Sequence, residues 1–290
     1  SGFLHDFATN APFRSSTTGP EEALKCLTAS LSMCYNPGER PVMAKKHMYL
    51  YGRNSTYERI MTDPGSVRTV YLREGLSLPS LEKAIARKKI PCERLSASSL
   101  DRMRPQKDLQ GVVAKVDLYE YTPSDVLVSD ALESGRTLLF LDRVNDPHNL
   151  GVIIRLAACF GGFSLVIPAR EACQVNETVL HVASGGENYV PIASVNNLAP
   201  VIDGAKKIGF WIAGAVVDEQ AEDITSLSLP FPLGLVLGSE GSGIRKGLQK
   251  RLDIRAFIPM RGAPLSFNVS MACGIFCHEI TRRKNDGERR

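Results

Sequence analysis

Three polar segments interrupt apolar stretches in the second half of this 290-residue chain. The first runs from Leu141 through Asp-Arg-Val-Asn-Asp-Pro-His-Asn-Leu-Gly-Val-Ile-Ile to Arg155. A strand ends there, a polar loop turns, and Asn149 stands where a helix N-cap belongs. Arg155 follows two turns later among Ile153, Ile154 and Ala157. An arginine in that setting is ordinarily a salt-bridge partner or a snorkelling side chain. The sharper reading is an anion-binding or catalytic group at the carboxyl end of a sheet, where α/β folds bind ligands. The second segment, Gly234 to Ile244, is an apolar strand running into a glycine-rich turn with one acid, Glu240. Its glycines would let backbone amides approach a ligand. It matches neither the phosphate-loop nor the dinucleotide fingerprint. The third, Ile258 to Ala272, stops a strand at Pro259 and opens the last helix with Ser266 and Asn268. Ser266 caps that helix in the plainer reading, and Asn268 orients a ligand in the other.

The elements that must hold these segments follow from hydrophobic periodicity. Thr137–Leu141, Ser164–Ile167, Phe210–Val216, Leu233–Leu237 and Arg255–Ile258 are apolar without alternation, as strands of a parallel sheet covered on both faces would be. Helical patterns fall at Leu150–Phe160, Glu177–Ala183, Leu198–Ile208, Ile244–Arg251 and Asn268–Arg282. A smaller unit precedes them at 47–122, with an apolar stretch at Met48–Gly52, a helix ending at Arg59, an alternating strand Ser66–Leu72, a basic helix Ser80–Lys89 and a buried strand Gly111–Ala114. The fold class is therefore α/β, a mostly parallel sheet domain at 137–290 behind a small α/β domain. Residues 123–136 read as a linker, and residues 1–46 as a flexible arm with a short helix. The opening Ser1-Gly2 has the look of a processing or expression scar.

Charge is distributed unevenly. Residues 45–122 hold 15 lysines and arginines against 9 acids, which leaves the rest of the chain slightly acidic although the total is +4. A basic module beside a near-neutral one suits a polyanion-binding domain joined to a catalytic one, and a solvated surface explains the same numbers equally well. Arg87, Lys88 and Lys89 cluster at a helix end, with Arg102, Arg104 and Lys107 close behind. The seven cysteines are odd in number and include no C-x-x-C, so neither a disulfide framework nor a zinc site is expected. Cys159, Cys273 and Cys277 lie in apolar helical patterns and read as core thiols of a reducing compartment, hence a cytoplasmic protein. No run of 18 apolar residues suggests a membrane span.

Taken together, Asp146–Arg155, Leu237–Ile244 and Ile258–Ala272 resemble, in order and spacing, the three signature motifs of SpoU/TrmH-type RNA 2′-O-ribose methyltransferases of the SPOUT superfamily. The likeness covers about residues 137–283, Ala183–Pro191 resembles the family's connecting segment, and 47–122 resembles the RNA substrate-binding domain of ribosomal-RNA members. The resemblance implies a trefoil-knotted methyltransferase domain, a homodimer and a bent S-adenosylmethionine held by Leu237, Gly238, Ile258, Met260 and Phe267. Phe267 departs from the leucine more usual there. The resemblance also assigns Asn149, Arg155, Glu240, Ser266 and Asn268 to the polar catalytic set, and RNA contact to the basic cluster, with no metal. Ribosomal RNA is favoured over transfer RNA. Arg155 would serve as an electrostatic stabiliser or as a base, the latter demanding because guanidinium pKa values exceed about 12. Two other readings are a non-catalytic RNA-binding protein keeping the fold, opposed by the intact polar set, and an enzyme acting on another nucleotide, opposed by the missing nucleotide fingerprints.

Overall fold

A computed structural model describes residues 47–103, 109–262 and 265–288. The expected arm at 1–46, Arg104 and Lys107 lie outside them. The smaller unit comprises β1 (Met48–Tyr51), α1 (Arg53–Thr62), β2 (Val67–Arg73), α2 (Pro79–Lys88), β3 (Cys92–Leu95), α3 (Ala97–Met103) and β4 (Val112–Val116). Its four strands run in the order β1-β4-β2-β3, with β4 antiparallel to both neighbours and β3 parallel to β2. Leu50, Val70, Leu72, Val112 and Ala114 form its centre, and the apolar face of α2, Leu81, Ala84 and Ile85, joins the same core.

The larger unit carries β5 (Thr137–Asp142), α5 (Pro147–Phe160), β6 (Phe163–Pro168), α6 (Glu177–Ala183), β7 (Ile192–Val195), α7 (Leu198–Lys207), β8 (Trp211–Ala215), β9 (Glu222–Asp223), β10 (Leu233–Gly238), α8 (Lys246–Gln249), β11 (Ile254–Phe257) and α9 (Val269–Glu288). Its seven strands run β7-β6-β5-β10-β8-β11-β9, every pair parallel. All six residues of β5 and of β6 are buried, which accounts for their unbroken apolar character. Each polar segment leaves the carboxyl end of a parallel strand, β5, β10 or β11, so the sheet gathers them on one side.

Several expectations shift. Within the expected linker, 123–136, a helix, α4 (Ser124–Glu133), forms and buries Leu127, Val128 and Ala131. The small unit also packs directly on the large one. Tyr51 stacks on His181 at 4.2 Å, His181 Nδ1 lies 3.1 Å from the Tyr51 carbonyl, and the Tyr49 amide donates to Glu177 at 3.0 Å. The cap of α5 is Asp146, whose side chain accepts from the His148 amide ahead of Pro147, so Asn149 is free for other partners. Asn268, not Ser266, caps α9 by accepting from the Met271 amide. The helix expected over Ile244–Arg251 shrinks to one turn, since Asp142 captures the Arg245 amide just ahead of it. Cys273 and Cys277 are buried as expected, with sulfurs 3.8 Å apart, whereas Cys159 is exposed on the outer face of α5. Among the described residues, no helix is long and apolar enough to cross a membrane.

Candidate active site

Two depressions flank the glycine-rich turn after β10. One is a cleft of about 450 Å³ lined by Leu237, Gly238, Ile258, Met260, Ser266 and Phe267, together with Val217, Asp218, Gln249 and Phe276. All five residues expected to hold a cofactor therefore border one space, and Ser266 borders it with them. Its walls are apolar while the strand ends and turn offer backbone polar groups, a composition suited to a small organic ligand with a few polar attachment points. The other depression, about 440 Å³, lies between the loop after β5 and the turn and is lined by Arg143, Asn145, Asp146, Asn149, Ser239 and Glu240. Glu240 and Ser239 face both.

Gly238 is required for a reason other than ligand approach. A Cβ there would run into the backbone of Gly243 and Ile244, so the turn can fold back on its own strand only over a glycine. The turn is further held from β5. The buried Asp142 carboxylate accepts from the Arg245 amide at 2.8 Å and pairs with its guanidinium at 2.7 Å. Arg143, in the left-handed region at φ 60°, donates to the Gly243 carbonyl at 3.4 Å. Asp142, Arg143 and Arg245 did not stand out in the sequence. The available signal was a carboxylate directly after the apolar run Leu138–Leu141.

A hydrogen-bonded chain joins the motifs. The Asn149 amide donates to Glu240 Oε1 at 3.0 Å, and its Oδ1 accepts from Asn268 Nδ2 at 3.1 Å. Ser270 is a member that sequence reasoning missed. It is 4% exposed, with its hydroxyl 3.2 Å from Asn149 Oδ1 and 3.0 Å from Asn268 Oδ1. The α5, β10 and α9 segments thus meet at Asn149, which is itself 8% exposed. Glu240 is exposed, with its Oε1 fixed by Asn149.

Arg155 is not brought to this centre by its own chain. Six residues along an α-helix turn the side chain about 120° away from Asn149 and move it roughly 9 Å along the axis. It is exposed in a separate depression of about 330 Å³, beside Asn54, Glu58, Ser184, Gly185 and Tyr189. Among the described residues, its guanidinium has no ion-pair partner.

Arg87, Lys88 and Lys89 are exposed at the end of α2, where positive charge also complements the helix carbonyls. Arg102 is exposed and donates to Ser99 Oγ at 3.2 Å. Among the described residues, no group of three His, Cys, Asp or Glu side chains is placed to hold a metal.

Residues 136–278 match the SpoU rRNA Methylase family, and residues 49–122 match a family described as RNA 2′-O ribose methyltransferase substrate binding. A TrmH-family tRNA/rRNA methyltransferase of Bacillus subtilis, YacO, is 33% identical over 84% of this chain and 98% of its own length. The 23S rRNA (guanosine-2′-O-)-methyltransferase RlmB of Xanthomonas campestris is 34% identical over 83% of this chain and 99% of its own. Among solved structures, the SpoU methyltransferase AviRb of Streptomyces viridochromogenes, in complex with AdoMet, superposes with a TM-score of 0.69 at 20% identity, covering 83% of this chain and 92% of that one. An AdoMet-bound rRNA methyltransferase of Sinorhizobium meliloti gives 0.68 at 23% identity, covering 82% and 88%. At these identities, the structural likeness speaks to the fold.

Proposed function

Because the chain belongs to the SpoU family of RNA 2′-O-methyltransferases, we propose that it methylates a ribose 2′-hydroxyl of ribosomal RNA at the junction of its two depressions. The observation that carries this reading is the adjacency of the apolar cleft and the Asn149–Glu240–Asn268–Ser270 chain, with Glu240 bordering both spaces.

S-adenosylmethionine fits the cleft by volume, within the roughly 300–1,000 Å³ usual for small-molecule sites, and by its apolar walls. Leu237, Ile258, Met260 and Phe267 would enclose it, and when bound it supplies an electrophilic methyl carbon. The protein's share of the work is to hold the hydroxyl in line and to handle its proton. Glu240, oriented by Asn149, offers a carboxylate that accepts from a ribose hydroxyl. Asn268 and Ser270 keep Asn149 in the rotamer that presents its amide to Glu240.

A ribose hydroxyl is a weak acid, so a positive group beside the developing alkoxide lowers the barrier. Arg155 is the candidate, supplied by a second copy of the chain. Two observations support this arrangement: Arg155 is exposed and lies away from its own cleft, and Met260 and Phe267, which line the cleft, are exposed along with their chain neighbours Leu265 and Met271 for a partner to cover. The knot expected from the family resemblance belongs to the same proposal.

The test is calorimetric binding of S-adenosylmethionine, followed by methyl transfer to 23S ribosomal RNA and to total transfer RNA, both transcribed without modification. Alkali-resistant methylated dinucleotides from the ribosomal RNA alone are expected. Methylation of transfer RNA alone would overturn the ribosomal assignment.

A further inference from the structure

Arg155 shares its depression with one of the most exposed aromatic rings among the described residues. Tyr189 follows the tight turn at Gly186–Asn188 and is 55% exposed, yet its hydroxyl donates to Glu58 Oε2 at 2.5 Å. The ring is therefore open to solvent but anchored at its tip. The loop beneath is built to reach α1: Ser184 adopts the left-handed region at φ 54°, Gly185 follows at φ 94°, and a Cβ on Gly185 would run into the Glu58 side chain. Such strain is retained where the surroundings require one backbone path. The outcome is a pit of about 330 Å³ with an aromatic wall, a guanidinium that has no ion-pair partner among the described residues, and the exposed Asn54 at its edge.

We propose that this pit is a nucleotide subsite, in which a base of the RNA stacks on Tyr189 while the phosphate next to the methylated ribose lies on Arg155. Every base has a π-face, and an aromatic ring beside a cation is the recurring platform for single-stranded RNA. Tyr189 also borders a larger depression of about 600 Å³, but there Asp63, Asp117, Glu120 and Glu187 outnumber Arg59, already paired with Glu187, and Arg136. In the pit, by contrast, Glu58 is tied to the Tyr189 hydroxyl and leaves the Arg155 charge for a phosphate. The strand therefore lies on the Arg155 side. Two different parts of the chain contribute: α1 of the small unit anchors the ring that the large unit carries, so the small unit shapes the site without touching the cofactor cleft. The inference rests on the reading that Arg155 serves the reacting nucleotide.

Steady-state methylation of unmodified 23S ribosomal RNA by the full chain tests it, with S-adenosylmethionine binding and thermal unfolding as controls. Tyr189→Ala should raise the KM for RNA roughly 10- to 100-fold, the loss of one stacked base, with cofactor affinity unchanged. Tyr189→Phe removes only the hydroxyl tie and should keep a KM near that of the wild type. An unchanged KM in Tyr189→Ala overturns the subsite, and so does a loss in Tyr189→Phe equal to that in Tyr189→Ala, since the tie to Glu58 and not the ring would then be what matters. Arg155→Ala, measured alongside, separates the two failures: normal turnover there removes Arg155 from the reaction whatever Tyr189 does.

Discussion

Asn149 is buried, so each polar atom it carries must find a partner inside the protein. Its amide nitrogen takes Glu240, and its oxygen takes Asn268 and Ser270. Asn149→Ala strips a partner from three groups at once. Ser270 keeps Asn268 Oδ1 as a partner and the exposed Glu240 turns to water, so the cost falls on the part-buried Asn268 Nδ2 and on the space the side chain leaves. We expect a stability loss of about 2 kcal/mol by thermal unfolding. Misplacing Glu240 should also slow single-turnover methyl transfer by roughly 100-fold; transfer within a few-fold of normal would show that the chain of bonds serves folding only. Gly238 makes a sharper case. Because the clash would be with the turn's own backbone, even Gly238→Ala must displace the turn. Calorimetry should find cofactor binding strongly weakened, and unchanged affinity would contradict the assignment of this turn to the cofactor.

At the scale of elements, α1 is tied to the turn after α6 by the Arg59–Glu187 pair at 3.3 Å, both side chains buried. Burial pushes the Glu187 carboxyl above its usual range, and the Arg59 charge beside it only partly opposes the shift. A raised folded-state pKa means that the native chain holds this proton longer than the unfolded one does. Its contribution is therefore complete below the unfolded value, near 4.3, and is lost as pH rises through the folded value. Glu187→Gln should thus gain stability relative to the wild type as pH rises above about 4.3. A stability difference that stays flat with pH would contradict the shift. Such long-range pairs mark the limit of what the sequence discloses. β5 and β10 were legible because burial on both faces leaves unbroken apolar runs, Leu138–Leu141 and Leu235–Leu237, and α6 because its apolar positions stop just ahead of Ser184-Gly185. β3 was not, because Cys92–Leu95 is an edge strand whose exposed residues do not alternate, and neither was the two-residue β9. The helix α4 hid behind Pro123 and a polar face. The family resemblance pointed to the cleft residues, but the link from Asp142 to Arg245 spans 103 positions and leaves no local pattern.

For the whole molecule, the question is whether one chain makes one active site. The polar centre at Asn149 and the pit at Arg155 lie on different faces of the same helix, and Met260 and Phe267 of the cleft stand in the open with the nearby Leu265 and Met271 of the same segment. In a two-fold dimer, any contact from Arg155 to the partner's cleft is made twice, once in each direction. Each site would then draw its carboxylate from one copy and its guanidinium from the other. Light scattering at micromolar concentration should accordingly find a dimer. Complementation asks the harder question. Arg155→Ala and Asn149→Ala should each be nearly inactive alone. Unfolded together and refolded, they form mixed dimers in which one of the two sites pairs an intact Asn149 centre with an intact Arg155. Random assortment makes half of the dimers mixed, so about a quarter of wild-type activity should return. If each site were completed within a single chain, no mixed dimer would hold an intact one and activity would stay at the level of the two variants. Recovery would assign Arg155 to the neighbour's reaction, and it would explain why this arginine stands exposed with no ion-pair partner among the described residues.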